Sequence, residues 1–290
     1  MIHVNGKTRT CGLIGNPVEH TLSPLIHNFL AEELNINMVY VPFHVEQGQL
    51  AHAVKGAYGL HILGCNVTVP YKNDVLEQLV DIDVLAKRIG AVNTLVRTEH
   101  GYKGYNTDMT GLLRAMQSDG VEIAGEDIII LGAGGAARAV AFMCASYGAK
   151  KVYILNRTVE KAQQIAEEVN ASLETNIVYG MELAAYETLP KQKYLVIQST
   201  SVGLSPHDED VVIEDEQFYQ MVKVGYDLIY NPWETRFMKL VKEHGGKSYN
   251  GLKMLLFQAI DAFELWNNCK INDERAFKAY ELLQEAVRKK

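Results

Sequence analysis

Two side chains in this sequence are suited to moving a proton, and each stands at the end of an expected element. Lys72 closes the run "NVTVPYK" (66–72), a strand stopped by Pro70 whose alternation puts Asn66 and Thr68 on one face. Asp108 lies in "GYNTDMTG", beside Thr107 and just ahead of a helix expected to open near Met109. A lysine after a strand is usually only solvated, and an aspartate there can simply cap the helix. Two more segments offer groups that bind acids and hydroxyls. "GAVNT" supplies Asn93, and "HTLSPLIHN" supplies Thr21 and Ser23 ahead of Pro24, which would begin a helix. Hydroxyls beside the unpaired N–H groups of a helix start make a carboxylate site, although Ser23 could equally serve as the cap.

A different chemistry is written in "IIILGAGGAARAV" (128–140): a hydrophobic strand, then Gly132-x-Gly134-x-x-Ala137, then a helix. This is the context of a dinucleotide-binding turn, with Gly132 for the tight bend, Gly134 for close approach of a pyrophosphate and Ala137 for helix–sheet packing. Ala133, Gly135 and Ala136 complete the turn. The next strand, "KVYIL", runs into Asn156, Arg157 and Thr158, with Lys161 one helical turn later. NAD sites carry an acid there, about 20 residues past the turn, for the ribose 2′-hydroxyl. Two cations and no acid suit the 2′-phosphate of NADP instead. A plain helix start capped by Thr158 would leave the missing acid unexplained.

The elements that must position these groups read as α/β throughout. Before the glycine turn, runs such as "CGLIG" and "MVYVPFHV" alternate with helical patterns, the mark of βαβ units and a mainly parallel sheet. "AVNTLVRTEHGYKGYNTD" reads as two strands about a Gly101 turn. A second alternation follows from strand 127–132 to strand 224–229, and amphipathic helices end the chain. With 290 residues, of which 48% are hydrophobic, two domains with separate cores are expected. The first is expected to be an N-terminal α/β substrate domain and the second, from 109 onward, a Rossmann-type, doubly wound NADP-binding domain.

A formal charge of -7 argues against a nucleic-acid or acidic-membrane partner and favours a small molecule. Cys11, Cys65, Cys144 and Cys269 show no metal or redox spacing, so reduced, mostly buried thiols are expected and no metal site. The first residues lack a signal-peptide pattern and no run is long and apolar enough to span a membrane, so a cytoplasmic protein, monomeric or homodimeric, is expected.

Together, "GNPVEHTLSPLIHN", "NVTVPYK", "GAVNT", "GYNTD", "GAGGAARA", "NRT", "TSVGL", "YNPWET" and "NGLKMLLFQA" occur in an order that resembles the shikimate dehydrogenase family along nearly the whole chain. The resemblance implies a two-domain, metal-free enzyme of aromatic amino-acid biosynthesis that reduces 3-dehydroshikimate to shikimate with NADPH, its final helices returning to the substrate domain, so that the domains are 1–108 plus 252–290 and 109–251. It further implies that Lys72 is catalytic beside Asp108. Thr21 and Ser23, with Thr68 and Tyr230, would hold the substrate carboxylate, and Asn93, Asp108 and Gln258 the ring hydroxyls, with Asn66 also in the substrate site. The glycine turn with Asn156, Arg157 and Thr158 would hold the cofactor, with Gly251 and Met254 near its nicotinamide end.

Four positions depart from the family pattern: Thr21 replaces the commoner serine, Gln198 and Ser199 stand where Asn and Ala are usual, and Lys253 replaces a frequent glycine. A quinate or dual quinate/shikimate dehydrogenase is the alternative enzyme. A non-catalytic metabolite sensor is the alternative of another class, and the presence of both Lys72 and Asp108 weighs against it.

Overall fold

The computed structural model describes residues 4–288, and its packing divides the chain into two units. One runs to Leu112 and takes in Leu255–Ala286; the other is built mainly from Leu113–Met254.

The first unit opens with β1 (Arg9–Gly15), α1 (Ser23–Glu33), β2 (Met38–His44), α2 (Leu50–Gly59) and β3 (Gly64–Val67). β1 pairs in parallel with β2 on one side and β3 on the other. Then come β4 (Asp81–Ile82), α3 (Val84–Ile89), β5 (Thr94–Arg97) and β6 (Tyr102–Tyr105), and the chain enters α4 (Thr107–Ser118). The sheet order is β2-β1-β3-β5-β6-β4. The strands expected on either side of Gly101 are present, and β5 runs antiparallel to both β6 and β3. That reversal matters for the site, because it brings the start of β5 and the end of β6 level with the carboxyl ends of β1 and β3. The loops carrying Thr21, Lys72 and Asn93, and the start of α4 with Asp108, lie at those four ends. β4 and α3 were not foreseen, being too short to show a period.

The second unit contains β7 (Asp127–Leu131), α5 (Gly135–Ser146), β8 (Lys151–Asn156), α6 (Val159–Leu173), β9 (Val178–Glu182), β10 (Tyr194–Gln198), α7 (Glu216–Gln220), β11 (Val222–Asp227), α8 (Arg236–Glu243) and β12 (Lys247–Tyr249). Its six strands are all parallel in the order β12-β11-β10-β7-β8-β9, the doubly wound arrangement, with its switch point between β7 and β10. Every residue of β7 and β10 is buried, as continuous runs such as "DIIIL" require when helices cover both faces. β9, with its lone valine and central glycine, escaped the sequence reading, as did the three-residue β12.

The chain ends in α9 (Leu252–Asn267) and α10 (Asp273–Arg288). Trp266 of α9 lies on the first unit's sheet: its indole N–H donates to the Leu95 carbonyl at 2.9 Å, and a side chain at Gly64 would collide with the ring. Burying an aromatic of this size contributes about 1.5–3 kcal/mol, which ties this helix to the sheet. Among the described residues, no helix is long and apolar enough to cross a membrane, and all four cysteines are free thiols.

Candidate active site and cofactor cleft

Lys72, just past the end of β3, donates from Nζ to Oδ2 of Asp108 at 2.7 Å. The two side chains are 31% and 19% exposed, so the pair is shielded yet reachable. Asp108 does not cap α4. The helix begins at Thr107, and Asn106 serves as its cap, Oδ1 accepting from the Met109 N–H at 3.2 Å. Because Asn106 takes that task, the Asp108 carboxylate is left to face Lys72 and to accept from Asn93 Nδ2 at 2.9 Å.

Asn93 is held from every side. Its Oδ1 accepts from the Thr107 N–H at 2.7 Å and from Thr94 Oγ1 at 3.1 Å, and its Nδ2 also donates to Thr107 Oγ1. Beneath it, Asn66 is 4% exposed; its Nδ2 donates to the Asn93 carbonyl and to Thr94 Oγ1, and its Oδ1 accepts from Tyr40 OH at 2.8 Å. Asn66 thus faces inward and braces Asn93, while Thr68, just past the end of β3, is partly exposed. Tyr40 and Thr94 belong to this network and were not foreseen, since a tyrosine in a β-rich run carries no signal of what its hydroxyl meets.

Thr21 and Ser23 form a pair: their hydroxyl oxygens are 3.1 Å apart, and the Ser23 N–H donates to Thr21 Oγ1. α1 begins at Ser23 itself, after Leu22, and no side chain caps it, so the capping role open to Ser23 is not the one it plays. Below Ser23 on the same helix, His27 is fully buried, stacked on Tyr40 with ring centroids 4.2 Å apart. Burial pushes its imidazole down to about 3. Gln258 lies on α9 against Gly111, one turn beyond Asp108, with Nε2 donating to the Leu255 carbonyl of its own helix.

In the second unit a cleft of about 800 Å³ opens at the switch point, between the glycine turn and residues Ser199–Val202. Gly132 has φ of +107°, and a Cβ there would run into the Thr200 methyl, so both backbone and space demand glycine. Gly134, Gly135 and Ala136 are exposed at the start of α5, whereas Ala137 is buried against the sheet. A helix start facing a cleft suits an anion. Asn156, Arg157, Thr158 and Lys161 also line it. Asn156 shapes the turn by donating to the Thr158 carbonyl at 2.9 Å, and Thr158 occupies the N-cap position of α6 without a side-chain cap bond. The exposed Arg157 and Lys161, with no carboxylate at the end of β8, fit a dinucleotide bearing a 2′-phosphate. The cleft has an acidic wall that no motif revealed: Glu209, Asp210 and Glu214, the last paired with Arg236 at 2.9 Å.

Tyr230, Gly251 and Met254 all belong to the second unit. Burial pushes the Tyr230 phenol up. Gly251 presses on the Leu228 carbonyl, so packing alone accounts for its lack of a side chain. The unusual Lys253 pairs with Asp119 and donates to Ser118 Oγ at 2.9 Å, anchoring the start of α9 to the end of α4.

A six-stranded doubly wound sheet with its glycine turn at the switch point defines a dinucleotide-binding α/β protein, and a shielded lysine–carboxylate pair in the other unit of the chain offers groups for proton chemistry. The model of the shikimate dehydrogenase substrate binding domain matches residues 13–95, and that of shikimate / quinate 5-dehydrogenase matches residues 114–224. A shikimate dehydrogenase (NADP(+)) of Desulforamulus reducens is 42% identical over 267 residues, 91% of each chain. A crystal structure of a shikimate dehydrogenase in complex with NADP+ superposes with a TM-score of 0.89 at 35% identity, covering 98% of both chains. The Listeria monocytogenes shikimate 5-dehydrogenase in complex with shikimate and NAD gives 0.86 at 29% identity over 98% of both. The chain belongs to the shikimate dehydrogenase family.

Proposed function

We propose that this chain is an NADP-dependent shikimate dehydrogenase, an oxidoreductase that reversibly reduces 3-dehydroshikimate to shikimate on the route to aromatic amino acids. The observation that carries the reading is the Lys72–Asp108 pair, formed beyond the carboxyl ends of β1 and β3, where a ligand is expected. Bound NADPH supplies the hydride. Lys72 stabilises the negative charge that grows on the ketone oxygen and gives up a proton from Nζ to it, while Asp108 orients the ammonium and accepts from a neighbouring ring hydroxyl. Thr21 and Ser23, with Thr68, bind the substrate carboxylate through hydroxyls already paired with each other. Asn93 and Gln258 bind ring hydroxyls, and Asn66 supports Asn93 from below.

The glycine turn, Gly132 to Ala136, takes the pyrophosphate, and Arg157 with Lys161 takes the 2′-phosphate. The protein acts on this small molecule in the cytoplasm, as a monomer or homodimer, and its free thiols accord with a reducing compartment. Initial rates with shikimate and quinate, each against NADP and NAD, test the assignment. Shikimate with NADP should give the highest kcat/KM, and a higher value for quinate with NAD would replace it with the quinate reading.

A further inference from the structure

Behind the cofactor cleft lies a carboxylate that neither the glycine turn nor the basic pair explains. Asp227, the last residue of β11, is 0% exposed and receives three hydrogen bonds from three segments. Its Oδ1 accepts from Gln198 Nε2 at 3.3 Å and from the Ile229 N–H at 3.0 Å; its Oδ2 accepts from Thr235 Oγ1 at 2.6 Å. The same Thr235 hydroxyl caps α8, accepting from the Met238 N–H at 3.3 Å. On the other side, Gln198 passes the constraint onward. Its Nε2 also donates to the Val202 carbonyl at 3.1 Å and its Oε1 accepts from the Thr200 N–H, drawing residues 199–202 into a tight loop. That loop is a wall of the cleft, Thr200 packs over Gly132, and Ser199 donates to the Leu131 carbonyl at 2.7 Å. Arg236, next to Thr235, lines the same cleft.

We propose that Asp227 is a positioning residue for the cofactor, a buried brace that acts through Gln198 and Thr235 to hold two walls of the dinucleotide cleft in register with the glycine turn. The inference rests on the proposed NADP-dependent function. A carboxylate suits the task because its two oxygens accept from three donors at once, and a buried donor left without its acceptor would move to find another. Gln198 stands where the family resemblance leads one to expect asparagine. Its extra methylene relative to asparagine sets how far the loop lies from Asp227, so the brace and the loop departure are one device.

The test is NADPH binding by fluorescence titration, with steady-state kinetics alongside. Asp227→Ala should raise the NADPH Kd about tenfold, and Gln198→Met, which keeps the volume but loses the amide, should raise it about fivefold. Asp227→Asn keeps Oδ1 for Gln198 and Ile229 and should stay within about threefold of wild type. In each case the KM for shikimate and the kcat at saturation should change less than about twofold, since the substrate groups and Lys72 are untouched. An unchanged NADPH Kd in Gln198→Met and Asp227→Ala overturns the proposal, as does a parallel rise in the shikimate KM. Should Asp227→Ala fail to fold, Gln198→Met and Thr235→Val decide the matter. Wild-type protein that binds no NADPH would instead overturn the functional reading itself.

Discussion

Lys72 and Asp108 stand 36 positions apart in the chain, and their charged atoms meet at 2.7 Å. The contact is made by the sheet: β5 reverses direction after β3, β6 returns beside it, and α4 starts where β6 ends. Asn106 caps that helix and Asn93 steadies the carboxylate, so the aspartate is oriented before any ligand arrives.

From this pair the first expectation is kinetic. A positioned acid–base group contributes about 10²- to 10⁴-fold, and Lys72→Ala should lose a factor of that order in kcat. The KM for shikimate should move far less, because the carboxylate and hydroxyl contacts remain. A variant with intact kcat and a greatly raised KM would show that Lys72 only binds the ring.

Cofactor choice should depend on Arg157. It lies exposed in the cleft with Lys161, and the last residue of β8 is Asn156 rather than an acid. A charge-assisted hydrogen bond is worth about 1.5–3 kcal/mol, so Arg157→Ala should reduce kcat/KM for NADP roughly tenfold to a hundredfold. Rates with NAD should hardly change. Equal losses with both cofactors would remove Arg157 from phosphate recognition.

Thr21 bears on substrate range. Its hydroxyl pairs with Ser23, which leaves its methyl to occupy space a serine would leave empty. Shikimate is flat at the ring carbon bearing its carboxylate, whereas quinate carries an added hydroxyl there. Thr21→Gly should therefore shift the kcat/KM ratio toward quinate. A ratio that moves further toward shikimate would contradict the crowding argument.

Two buried groups should bend the stability–pH curve in opposite senses. Burial raises Asp227 from 3.8 to about 7, so the folded state holds a proton that the unfolded chain has released; this contribution is complete below 3.8 and is lost as pH rises through 7. Burial lowers His27 from 6.5 to about 3, so its contribution is complete above 6.5 and is lost as pH falls through 3. Each linkage has a slope on the order of 1.4 kcal/mol per pH unit within its window. In urea unfolding, Asp227→Asn should gain on wild type as pH rises from 4 to 7, and His27→Phe should gain on wild type as pH falls from 6.5. Difference curves flat across both windows would mean that neither group titrates on unfolding.

Much of the scaffold was legible because it is local. The buried parallel strands announced themselves as runs such as "DIIIL", and the glycine turn by a pattern whose reason, a positive φ at Gly132, resides in one residue. Arg157 and Lys161 needed only their distance from that turn. Short elements escaped, since β4 and β12 are two and three residues long, below any period. Side-chain roles were harder. Asn66 and Asn93 look alike in sequence, each an asparagine near a strand end, yet Asn66 is turned into the network that Asn93 completes.

What the sequence determined by itself was the order of most of the elements, the two α/β units and the chemical types available at each loop, because hydrophobic period, proline and glycine act on their near neighbours. What tertiary structure alone decided was partnership: Lys72 with Asp108, Asn106 rather than Asp108 as the cap, Tyr40 with Asn66, and Asp227 with Gln198 and Thr235. The reason is physical. Periodicity tells a side chain which face to take, but a hydrogen bond is set to within a few tenths of an ångström by the register of strands far apart in the chain, and no local pattern contains that distance.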